Sequence, residues 1–246
     1  WLLHGYEVHP LVLFDRLDMS NRHLDASDLL QLAKLECIQH TRVLNLESCN
    51  LYAGAIASFF AKEPLPNLEV LRLNRNSLKG EDAVALFQDT RLAGLHTLGL
   101  RTTQLDHRAL EALVGSPSVW TLQILKLSGN RLDGRARETL YQADKMLSLR
   151  SIDLNQVGFE ASDLEHLAKA PWLKSLRWLS FEFNGAPGES LAWLERFLSS
   201  APLENLECLV ITNRWLDNTI AHQIASQPKF AKLKHLGFNA YPDIEL

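Results

Sequence analysis

One repeating pattern decides what this chain can fold into. Leu68, Leu71, Leu73, Asn76 and Leu78 spell L-x-x-L-x-L-x-x-N-x-L, and Leu122, Leu125, Leu127, Asn130 and Leu132 spell it again. Weaker copies begin at Phe14, Thr41, Leu95, Leu149, Leu176, Leu206 and Leu233. Successive starts lie 27 residues apart, except for a step of 30 between Leu176 and Leu206. Self-similarity at such a period marks stacked supersecondary units, each covering the apolar face of its neighbour.

The chemistry within a unit gives its local structure. The L-x-L core alternates with period two, so it reads as a short strand. Apolar residues recur at position 19 (Leu32, Phe59, Leu86, Leu113, Leu140, Leu167, Leu194, Ile224) and often at position 16 (Leu29, Ile56, Leu110, Leu164, Leu191). A spacing of three is one face of a helix. Each unit is therefore strand, turn, helix and return, an α/β arrangement. Asp25, Asp106, Asp133 and Asp217 precede the helices, where a carboxylate caps free amides. Pro10, Pro64, Pro117, Pro171, Pro202 and Pro228 fall between helix and next strand, and proline cannot continue a helix. Position 9 is a polar hinge: Asn76, Asn130 and Asn184 carry an amide that donates and accepts at once, with Cys49 and Thr103 as stand-ins. Arg22, Val157, Arg214 and Tyr241 depart from the pattern and predict altered turns. The three extra residues of the long unit follow Leu194 and predict a helix longer by about one turn.

Composition narrows the function. Of 246 residues, 46% are hydrophobic and 22% charged, as in an ordinary globular protein. Lys+Arg is 25 against 29 Asp+Glu, a net charge of -4, so the basic excess of a nucleic-acid binder is missing. Cys37, Cys49 and Cys208 are too few for a disulfide framework and point to a reducing, cytoplasmic setting. Apolar runs such as 11–14 fall far short of the roughly 20 residues of a membrane helix. No nucleotide-binding, hydrolase or zinc-protease signature occurs. Cys37-x-x-His40 is half of a metal site without the other half, so neither metal nor cofactor is expected.

With these residues in view, the chain resembles leucine-rich repeat proteins of the ribonuclease-inhibitor-like type. Ser116-Pro117, Ala170-Pro171 and Ala201-Pro202 are similar to bacterial members of that branch. The resemblance covers essentially all of 1–246 as one domain: a partial repeat over 1–13, then repeats starting at 14, 41, 68, 95, 122, 149, 176, 206 and 233. It implies a right-handed curved solenoid, a horseshoe with a parallel sheet on its concave face and helices on the convex face. It also implies a protein-binding role without shared catalytic residues. The absence of a start Met and of capping units leads us to expect a piece of a longer protein.

The open face of the sheet can be read by column, since strand positions 3, 5 and 7 point away from the core. Its charges are balanced, four basic and four acidic. Two features stand out. Arg72, Arg101 and Lys126 form a central basic spot, with Glu47 and Asp153 available as partners. Towards the C-terminal end, Trp178, Glu182, Phe183, Arg214, Trp215 and Tyr241 gather aromatic rings with charges, the composition of a protein-interface hot spot. The expectation is a non-catalytic recognition module that binds a protein partner, or another domain of the same protein, and neither nucleic acid nor membrane. A regulator of an enzyme, such as a GTPase activator working through Arg22 or Arg214, is the alternative. A hydrolase on the same scaffold ranks last.

Overall fold

A computed structural model describes residues 15–62, 65–216 and 218–239. Nine strands form one parallel sheet in sequence order: β1 (Arg16–Asp18), β2 (Val43–Asn45), β3 (Val70–Arg72), β4 (Thr97–Gly99), β5 (Ile124–Lys126), β6 (Ser151–Glu160), β7 (Trp178–Asn184), β8 (Cys208–Thr212) and β9 (His235–Phe238). Between and after them run α1 (Ala26–Leu32), α2 (Ala53–Lys62), α3 (Glu81–Gln88), α4 (His107–Gly115), α5 (Gly134–Tyr141), α6 (Asp163–Leu167), α7 (Pro187–Ser200) and α8 (Asn218–Ser226). Each strand pairs with the next in repeat register, so Leu44, Leu71, Leu98 and Leu125 stand side by side.

One continuous hydrophobic core runs through the described residues from Met19 to Phe230. The leucines of the inner strands and the position-19 residues Leu32, Phe59, Leu86, Leu113, Leu140, Leu167, Leu194 and Ile224 are buried in it, and Leu17 and Leu236 on the edge strands are partly buried against it. Asp25, Asp106 and Asp133 cap α1, α4 and α5 by accepting from the Asp28, Ala109 and Ala136 amides. Pro117, Pro171 and Pro228 each open a short 3₁₀ turn before the next strand. The long unit carries the longest helix, the 14-residue α7. Asp217, Pro10 and Pro64 lie outside the described residues.

The turn after each early strand is built from two devices. Residue 8 of six successive units, Asn21, Ser48, Arg75, Thr102, Gly129 and Gln156, takes a left-handed backbone, and only Gly129 does so without steric cost. In four of these units residue 9, which is Cys49, Asn76, Thr103 or Asn130, then closes the turn from inside. Asn130 is fully buried; its Oδ1 accepts from the Thr103 and Leu105 amides at 2.9 and 3.1 Å. Its Nδ2 donates to the Leu100 and Leu127 carbonyls at 2.6 and 2.8 Å. Asn76 repeats the four bonds with Cys49, Leu51, Leu46 and Leu73. The Cys49 thiol and Thr103 hydroxyl substitute by donating to the Met19 and Leu100 carbonyls.

The pattern changes at β6. This strand continues for ten residues, and its register with β7 shifts between Leu154 and Phe159. β7 therefore runs on through the expected turn. Period-two alternation then puts Phe183 on the core side with Leu179 and Phe181, where it pairs with Phe159 in the ladder. Two expectations are corrected here. Phe183 is not a rim residue; only 1% of it is exposed. Asn184 is not a buried hinge but an exposed strand end.

Candidate functional site

A notch of about 400 Å³ opens where the chain leaves β7 and β8, at the C-terminal ends of those strands. Glu182, Arg214 and Trp215 line it, with the Phe183–Gly185 segment as one wall and Thr212 and Asn213 as another. Four of the residues expected for partner binding are thus brought together, Phe183 as part of the wall. Tyr241 lies outside the described residues.

The wall is fixed by hydrogen bonds. Asn213 Nδ2 donates to the Phe183 carbonyl at 2.8 Å, and the Asn213 amide donates to Asn239 Oδ1 at 3.1 Å. Asn213 Oδ1 accepts from the Trp215 amide at 2.9 Å, which sets the tight turn after β8. The Trp215 indole Nε1 donates to the Gly185 carbonyl across the notch at 3.0 Å. The indole is therefore held at its polar end while 42% of the residue stays exposed. An aromatic ring fixed before binding loses little entropy when a partner covers it. In the same wall, Thr212 Oγ1 is buried without a hydrogen-bond partner. Such a group costs free energy until something meets it.

Trp178 does not join this surface. It is 8% exposed, and its indole Nε1 is buried. The neighbours of Trp178 in the ladder are Ser151 and Cys208, small side chains that leave room for the ring to lie down on the sheet. Ser180, Val210 and Asp153 around it are buried as well. The expected projecting anchor is therefore part of a closed surface. The contribution of Asn213 and Thr212 was not foreseen. Its signal was an asparagine one residue ahead of the hinge position, in the unit that carries Arg214 there.

The central basic spot is largely neutralised. Arg101 grips Asp153 at 2.8 and 3.1 Å, and its amide donates to Asn74 Oδ1. Arg72 faces Asp18: burial pushes that carboxyl up, but bonds from Ser20 and Asn45 and the Arg72 charge bring it below the ordinary value. A shallow depression of about 70 Å³ lies over Gly99 between Arg72 and Lys126, with Val43, Val70 and Ile124 beside it.

Burial pushes the Cys49 and Cys208 thiols up, so both are protonated near neutrality and are poor nucleophiles. Among the described residues, no three His, Cys, Asp or Glu side chains are placed to hold a metal ion. No described helix is long and apolar enough to cross a membrane. Comparison with family models and with curated proteins returns no match, so the fold and the notch stand on their own geometry.

Proposed function

We propose that the chain is a right-handed, curved solenoid of ribonuclease-inhibitor-like leucine-rich repeats and serves as a non-catalytic protein-recognition module. The in-order parallel sheet, the repeat-locked register and the asparagine-closed turns support the architecture. Trp215 carries the functional reading: a pinned, half-exposed indole beside a notch that also holds Arg214 and Glu182. Trp and Arg are the residues that most often anchor protein interfaces.

The test is site-specific photocrosslinking. A benzophenone amino acid at Asn184, exposed on the lining of the notch, is compared with one at Glu195, exposed on α7. A crosslink to one protein from position 184 and none from 195 supports the reading. Equal labelling from both positions, or labelling from neither, refutes it.

A further inference from the structure

The opposite ends of the strands carry a second surface, independent of the notch. The residue just before each strand's first position forms a row along this edge: Asp15, Arg42, Glu69, His96, Gln123, Arg150, Arg177, Glu207 and Lys234. Backbone bonds fix the spacing; the Arg150 amide donates to the Gln123 carbonyl at 2.7 Å and the Arg177 amide to the Arg150 carbonyl at 2.8 Å. The row follows a rule at both ends. Arg42 grips Glu69 with three hydrogen bonds of 2.8 to 3.1 Å. Glu207 takes Lys234 at 2.6 Å and Arg177 at 3.6 Å. Its carboxyl is held below the ordinary value, first by the bond from Lys234.

The rule fails in the middle. Arg150 stands between a glutamine and a second arginine. Its guanidinium donates to the Ser175 carbonyl at 3.0 Å and meets no carboxylate among the described residues. A groove of about 650 Å³ runs from Arg150 past Lys174 and Arg177 to Lys232, four cations against the single, already occupied Glu207. At its mouth Leu147 is 58% exposed. Arg150 also lines an adjoining hollow with Trp120, 54% exposed, whose ring has the Lys145 ammonium 5.9 Å away. Of the four large hydrophobic side chains left exposed among the described residues, Trp120 and Leu147 thus both stand beside Arg150.

We infer that this edge, centred on Arg150, docks an acidic peptide segment of a protein partner. The segment's carboxylates supply the counter-charge that the row lacks at Arg150 and the groove lacks at Lys174, and an apolar side chain of the segment settles against Leu147 and Trp120. A duplex or single strand of nucleic acid fits less well: the chain is acidic as a whole, with a net charge of -4, and lacks the basic excess of a nucleic-acid binder.

The experiment titrates a short fluorescein-labelled peptide of alternating Glu and Leu into the protein at low salt and follows anisotropy. Saturable binding is expected, weakened about tenfold by Arg150→Glu and several-fold by Arg150→Gln and Leu147→Ser. Arg42→Glu at the paired end of the row and Trp215→Ala in the notch leave it unchanged. Thermal melts matched to the parent protein exclude unfolding as the cause. Three results overturn the inference: no binding to the parent protein, binding indifferent to Arg150→Glu, or an equal loss with Arg42→Glu. Oligothymidylate displacing the peptide as well as unlabelled peptide does overturns it too, in favour of a nucleic-acid site.

Discussion

Asn130 and Asn184 occupy the same position of their repeats, yet they should respond oppositely to truncation. Asn130→Ala removes four bonds to buried backbone groups, leaving the Thr103 and Leu105 amides and the Leu100 and Leu127 carbonyls without partners. At about 1 kcal/mol for each abandoned group, the loss comes to about 4 kcal/mol, reduced if water enters the space. Asn184 is exposed at the end of β7, so Asn184→Ala should change stability by less than about 0.5 kcal/mol. Asn130→Asp is the sharper probe. The new carboxylate still accepts from both amides but faces the two carbonyls with no proton to donate. Burial raises its folded-state pKa, so the variant should be least stable at neutral pH and recover as pH falls and the acid regains a donor. Urea unfolding followed by tryptophan fluorescence measures all three. Equal losses for Asn130→Ala and Asn184→Ala would refute the assignment of the buried amide. An Asn130→Asp variant that weakens steadily from pH 7 to pH 5 would do the same.

Other outcomes follow from the same geometry. Trp215→Ala should weaken partner binding by about 2 kcal/mol or more with the melting temperature unchanged, whereas Phe183→Ala should cost about 3–5 kcal/mol of stability in chemical denaturation. Asp106 caps α4 and also accepts from the Gly80 amide; burial pushes its carboxyl up, but these bonds hold it below the ordinary 3.8. Its contribution is therefore complete above that value and lost as pH falls through the lower folded one, and Asp106→Ala should flatten the acid limb of a pH–stability curve. Gly99→Ala would place a methyl carbon 2.8 Å from Asn74 Oδ1. A loss of about 1–2 kcal/mol in a thermal melt is expected, because that oxygen already holds the Arg101 amide.

Sequence periodicity carried the strands, helices, caps and two of the asparagine hinges, because each obeys a rule that operates within one unit or between adjacent units. It misplaced Phe183 and Asn184 because the repeat template was laid over a strand that does not turn. The local signal was present: Leu179, Phe181 and Phe183 alternate with Ser180 and Glu182 for five residues, a strand longer than L-x-L. Trp178 was read as projecting, since column position gives direction and says nothing of neighbour size; Ser151 and Cys208 decide its burial. The Arg101–Asp153 pair was visible as opposite charges on nearby strands. The edge row escaped notice because its residues precede the strands and belong to no inward or outward column.

The strands lengthen along the sheet from three residues in β1–β5 to ten in β6 and seven in β7. Mechanically, the molecule is a series of unequal springs. Tension applied through its two ends loads every link alike, and the short ladders of the first five strands part before the long seam between β6 and β7. A pulled chain should thus peel from its N-terminal side, shedding units until the β6–β9 block is left, and that block includes the walls of the Trp215 notch. A partner seated there would still be held after half the sheet had been drawn out.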